Sequence, residues 1–203
     1  TAVGYKATST KDNDNAFGSN VTANGGRATA IGDNSQASNE RATAIGAGAT
    51  ASGLDSFAGV SGTAAGDSSI AIGKGASITA LTAGTTVGGQ DSIAMGTGAS
   101  ANQHSSVSVG LGASSDGVRS VAIGPKASAT DEDTIAIGTG GVGADKNNPT
   151  AGNNGGTVTN TSFNGITGVN LYYGAKSVGQ QSIAIGYIAN AKESGIAIGN
   201  KAI

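Results

Sequence analysis

Short runs of alternating apolar and small residues, each closed by a glycine, punctuate the chain. The clearest are Ile70-Ala71-Ile72-Gly73, Ile135-Ala136-Ile137-Gly138 and Ile183-Ala184-Ile185-Gly186. Alternation of this kind predicts a β-strand, because successive side chains leave opposite faces. The same ending recurs in Ala2-Val3-Gly4, Ala16-Phe17-Gly18, Ala30-Ile31-Gly32, Ala44-Ile45-Gly46 and the degenerate Phe57-Ala58-Gly59. It returns in Ala94-Met95-Gly96, Ser108-Val109-Gly110, Ala122-Ile123-Gly124 and Ala197-Ile198-Gly199. From glycine to glycine the spacings run 14, 14, 14, 13, 14, 23, 14, 14, 14, 48 and 13. A period held over so many copies identifies a repeat architecture, and the spacings of 23 and 48 read as insertions.

Each repeat has a second half in which a small residue follows the glycine by three positions, as in Ala49, Ala76, Ala99, Ala113, Ala127, Ala189 and Ala202. A polar stretch then leads into the next strand. Fourteen residues are too few for two strands and a helix, so each repeat predicts two short strands joined by two turns. Stacked in parallel at about 4.8 Å per turn, a dozen such turns make a solenoid of roughly 55–60 Å. Its large apolar side chains, Ile31, Ile45, Ile72, Met95, Val109, Ile123, Ile137, Ile185 and Ile198, are assigned to the roll core. That leaves a column of alanines, Ala30, Ala44, Ala71, Ala94, Ala122, Ala136, Ala184 and Ala197, on the outside. Parallel strands are normally covered on both faces, so the alanine column is expected to form an interface with other copies of the chain.

Composition sharpens this picture. Of 203 residues 36 are glycine, aromatics are 3% and Trp and Cys are absent, so burial must come from regular stacking rather than from a few large side chains. A formal charge of −2 provides no basic footprint for nucleic acid. No run approaches the roughly 18 apolar residues of a membrane helix, so no membrane contact is expected of this stretch. No secretory leader is recognised, and the chain opens in the middle of a repeat, which reads as part of a longer protein. The absence of cysteine excludes a disulfide framework and thiol chemistry.

Several motifs imitate chemistry. Gly138-Thr139-Gly140-Gly141-Val142-Gly143 matches a dinucleotide fingerprint, as Gly46-x-Gly48-x-x-Ala51 and Gly96-x-Gly98-x-x-Ala101 match its alanine form. That fingerprint needs a following helix N-terminus, and here a loop or the next repeat follows, so no cofactor is expected. Gly140-Gly141-Val142-Gly143-Ala144-Asp145 resembles the start of a calcium nonapeptide, but calcium rolls need stacked copies and this is one. His104, the sole histidine, excludes a multi-histidine metal site and is read as a surface turn residue. The acidic cluster Asp131-Glu132-Asp133 and the run Lys11-Asp12-Asn13-Asp14-Asn15 are read as solvated faces. Asn20-Val21-Thr22 and Asn160-Thr161-Ser162 form acceptor sequons, which Asn- and Thr-rich sequence generates freely.

Repeats of the form S-[IV]-A-[IV]-G-x-x-A-x-A occur at Ser69–Gly73, Ser92-Ile93-Ala94-Met95-Gly96, Ser120–Gly124 and Ser182–Gly186. They resemble the head repeats of YadA-like trimeric autotransporter adhesins, and the resemblance spans nearly the whole chain. It implies an all-β, left-handed parallel β-roll of about 12 turns, assembled as a homotrimer. Residues 1–203 would then be one head fragment with insertions at about 79–92 and 139–173. It further implies a non-enzymatic adhesin on the Gram-negative outer membrane that binds host matrix proteins of the collagen, fibronectin and laminin class, or cells. A structural spacer in a surface or phage fibre is the alternative. The long insertion departs from the repeat and is expected to carry individual specificity, with Lys146, Asn147, Asn148, Tyr172 and Tyr173 as candidate ligand-binding residues.

Overall fold

The computed structural model describes residues 1–80 and 88–129, together with the later strands Ile135–Ile137, Thr157–Val158, Val169–Leu171, Lys176–Ser177, Ile183–Ile185, Asn190–Ala191 and Ile196–Ile198. It is an all-β parallel β-solenoid, with about nine turns described in full and no helix among the described residues. The chain divides into two compact units, Thr1–Ser105 and Ser106–Ile203.

In the first unit every repeat contributes one strand to each of two parallel sheets. The first sheet runs Ala2–Val3, Asn15–Phe17, Thr29–Ile31, Thr43–Ile45, Phe57–Gly59, Ile70–Ile72 and Ile93–Met95. The second runs Thr8–Ser9, Thr22–Ala23, Gln36–Ala37, Thr50–Ala51, Thr63–Ala64, Ser77–Ile78 and Ser100–Ala101. Register is set by the repeat: Thr29 pairs with Thr43, Ala30 with Ala44 and Ile31 with Ile45. Ile70–Ile72 pairs directly with Ile93–Met95, so the ladder continues past the 23-residue spacing.

Except after Phe57–Gly59, where Val60 takes the place, glycine closes each strand of the first sheet in the first unit for two reasons visible at Gly32. Its φ of +128° lies where L side chains are rarely found, and a Cβ there would meet the Gly46 backbone carbonyl at 2.7 Å. The corners stack backbone on backbone, which leaves no room for a side chain between them.

The interior is lined mostly by small side chains, about four per turn, with Asp14, Val21 and Ile78 the larger buried residues. One turn offers Ala42, Ala44, Ala49 and Ala51, and another Ser92, Ala94, Ala99 and Ala101, all fully buried. This inverts the expected core. Ala30, Ala44, Ala71, Ala94 and Ala122 are 0% exposed inside the roll, so they are its core and not a surface between copies. Ile31, Ile45, Met95 and Ile123 lie outside at 38–41% exposure, and Ile72 and Val109 are partly exposed on the same face. The reason is steric. A turn of this length holds its two strands so close that methyl and hydroxymethyl groups fill the gap, and a column of isoleucines would overpack it. Ile137, Ile185, Ile198, Ala136, Ala184 and Ala197 have side chains outside the described residues.

In the second unit the strands Val107–Val109, Val121–Ile123, Ile135–Ile137, Val169–Leu171, Ile183–Ile185 and Ile196–Ile198 pair in that order. Thr157–Val158 pairs with Ser128–Ala129. Two strands thus fall within residues 139–173, and at Val169–Leu171 it is Asn170 that occupies the alanine register, opposite Ala136 and Ala184.

Candidate functional site

Among the described residues, chemical variety is concentrated on the outer surfaces. Thr29-Ala30-Ile31 turns Ala30 inward, which places Thr29 and Ile31 outward, and parallel register stacks these positions into two columns. In the first unit one column carries Phe17, Ile31, Ile45, Ile72 and Met95, interrupted by Gly59, and the other begins polar at Asn15, Thr29 and Thr43 and turns apolar at Phe57, Ile70 and Ile93. Val107, Val109, Val121 and Ile123 form the equivalent face in the second unit. Contiguous apolar area of this kind on a sheet marks an interaction surface.

The second sheet presents a different exterior. Its inward residues are mostly small, Ala37, Ala51, Ala64 and Ala101, with Ile78 the large exception. Outward stand Thr22, Gln36, Thr50, Thr63, Ser77 and Ser100 in one paired column. Polar Ser38, Ser52 and Thr79 flank it.

Charged residues cluster at the corners that lead into the first sheet. Arg41 binds the Glu40 carboxylate at 2.7 Å and grips Asp55, fourteen positions on, through both Nε and Nη2. The hydrogen bond to Asp55, reinforced by its charge, holds Arg41 further from deprotonation than usual and keeps the Asp55 carboxyl below the usual carboxylate range. This ladder ties adjacent turns but is open to water, so its contribution is small.

Asp14 corrects the reading of the run Lys11–Asn15 as wholly solvated. Its carboxylate is 1% exposed and accepts from the backbone N–H groups of Lys11 at 3.0 Å, Gly26 at 2.9 Å and Ala28 at 2.9 Å. It occupies an inward position held by Ala28 and Ala42 in the next two turns, and stitches two turns together.

His104 lies in a turn, with the Ser105 hydroxyl 2.6 Å from its Nδ1 and Asp91 Oδ2 3.7 Å from its Nε2. Asp91 is beyond hydrogen-bond reach of the ring, so the Ser105 hydroxyl is the hydrogen-bond partner shown for the imidazole. Gly46-Ala47-Gly48 and Gly96-Thr97-Gly98 are corners leading into Thr50–Ala51 and Ser100–Ala101, not helix starts. Among the described residues no group of three His, Asp or Glu side chains converges on a metal position. Lys146, Asn147, Asn148, Tyr172 and Tyr173 lie outside the described residues, as does the Asp131–Asp133 cluster.

The apolar outer face is what sequence reasoning missed, and a signal for it existed. The second-half positions Ala49 and Ala51, or Ala99 and Ala101, are as small as the alanine of the facing strand. Small residues on both strands belong to one narrow interior.

Compared with known families, the chain matches the YadA head domain repeat (2 copies) over residues 23–49, 37–58, 88–113, 115–140 and 177–202, together more than half of its 203 residues. No curated protein matches it.

Proposed function

The chain belongs to the YadA head domain family, and on that premise we propose that it is the adhesive head of a Gram-negative surface fibre. Three copies pack through their apolar outer faces and turn their hydroxyl-lined faces to the surroundings. The observation that carries this reading is the contrast between two sheets that share one interior. Folding of the roll explains the buried alanines but requires neither Ile31 and Ile45 nor Thr22 and Thr50 outside. The apolar columns would be costly to leave in water and are suited to a second copy. The hydroxyl column offers many similar weak contacts without a pocket, which suits an extended matrix protein of the collagen, fibronectin or laminin class.

The test is surface plasmon resonance with immobilised collagen, fibronectin and laminin, using chain shown by sedimentation to be a trimer. Saturable binding that weakens sharply when the head is made monomeric is the expected result. A trimer that binds none of them, nor intact host cells, overturns the adhesive assignment and leaves the chain a spacer.

A further inference from the structure

Each strand of the first sheet runs between two corners, and the corners of the first unit carry matched chemistry. Thr29–Ile31 is preceded by Arg27 and followed by Asp33. Ile70–Ile72 is preceded by Asp67 and followed by Lys74. Phe57–Gly59 is preceded by Leu54 and followed by Val60. Opposite charges thus stand at the two ends of two strands and apolar side chains at the ends of the third, where Asp55, next to Leu54, is taken up by Arg41. The members of each matched pair stand at opposite ends of the strand, so they are not one another's partners within a chain. Ile93–Met95 lies outside the pattern, with Asp91 before it and the uncharged Thr97-Gly98 after it, whereas Thr43–Ile45 is consistent with it. Glu40 and Arg41, before Thr43–Ile45, neutralise one another, and the corner that follows is the uncharged Ala47-Gly48.

Availability supports the match. The Arg27 side chain is 66% exposed and only 3.9 Å from Glu40, a loose contact. Asp33 and Lys74 are exposed, and Asp67 is half-buried, with one carboxylate oxygen accepting from the Leu54 N–H at 2.8 Å. Val60 is the most telling. It stands in a column otherwise made of glycine, Gly32, Gly46 and Gly73, and holds φ at +50° despite its branched Cβ. It is nonetheless 61% exposed. A strained backbone that projects an apolar side chain into water gains nothing within its own chain.

An axis parallel to the stack keeps every turn of a neighbouring copy at the same height. Rotation about it brings the corner that ends a strand beside the corner that begins the same strand next door. We infer that copies of this chain are held in register by these corners: Asp33 against the neighbouring copy's Arg27, Val60 against the neighbouring copy's Leu54, and Lys74 against the neighbouring copy's Asp67. This deepens the three-copy reading above and rests on it. The apolar columns supply adhesion between copies but tolerate sliding by a turn, since each turn resembles the next. The corner sequence opposite, apolar, opposite permits one alignment. It is confined to the first unit: around Val121–Ile123 the corners carry Arg119 and Lys126, of like sign.

The chain has no cysteine, which makes the test clean. The full chain carrying Leu54→Cys and Val60→Cys, mildly oxidised, is expected to give a covalent three-chain species on a denaturing gel, while either single variant stays single-chain. Charge reversal gives the second arm. Arg27→Asp or Asp33→Arg alone weakens association by about tenfold, and the combined swap restores it. If the wild type sediments as a trimer but the double-cysteine chain does not cross-link, the corner pairing is wrong while the three-copy reading stands. A covalent dimer, or a wild-type monomer, overturns the three-copy reading and this inference with it. Cross-linking by a single variant means that like corners meet, and overturns the pairing alone.

Discussion

The two outer faces of the first unit share a backbone plan and an interior, and differ in nearly everything else. Across one turn, Thr43-Ala44-Ile45 and Thr50-Ala51 both bury an alanine completely. Yet the first strand ends on an isoleucine left 41% exposed, and the second shows a threonine in a column of hydroxyls. The interior sets what the roll needs in order to fold, and it needs small residues on both sides. What stands outside is not set by that interior, and here the two exteriors differ: one strand ends on an exposed isoleucine, the other shows a threonine.

The comparison breaks most severely from within. Ala30→Leu forces a large side chain between strands that have room for a methyl group, and it should cost about 3 kcal/mol or more. A large fall in the denaturation midpoint measures it, and both faces should be lost together. Asp14→Ala strands the Ala28 N–H inside the roll and removes the partner of the half-buried Gly26 N–H. A loss of about 2–3 kcal/mol is expected in the same assay. The faces themselves are separated by a matched pair. Ile45→Lys should retain the strand signal in circular dichroism but weaken association by at least about 2 kcal/mol, whereas Thr50→Lys should leave the sedimentation profile unchanged. Equal effects from the two would dissolve the distinction between the faces. The smallest effect is a gain. Ser108 takes an alanine position and its buried Oγ has no hydrogen-bond partner, so Ser108→Ala should stabilise the chain by about 1 kcal/mol.

Much of the architecture was legible beforehand. The glycine period located the strands of the first sheet, and the recurrence of Ala49, Ala76 and Ala99 located the second half of each turn. The site was legible only as a set of columns, because alternation says which residues share a face without saying which face is inside. Asp14 was hidden for a related reason: a carboxylate in a polar turn reads as solvated until three backbone donors are seen to surround it.

The sequence alone determined the repeat, the parallel stacking and the register, since a fixed period with glycine corners admits no other pairing that keeps like over like. Which side of each strand faces inward was decided by the tertiary structure. Two strands in so short a turn must lie close together, and at that separation the smaller side chains go in. Size, which ordinarily sends isoleucine to a core, here sends it out. Among the described residues, the alanines assigned to a surface between copies are the interior, and the isoleucines assigned to the interior stand on the outer surface.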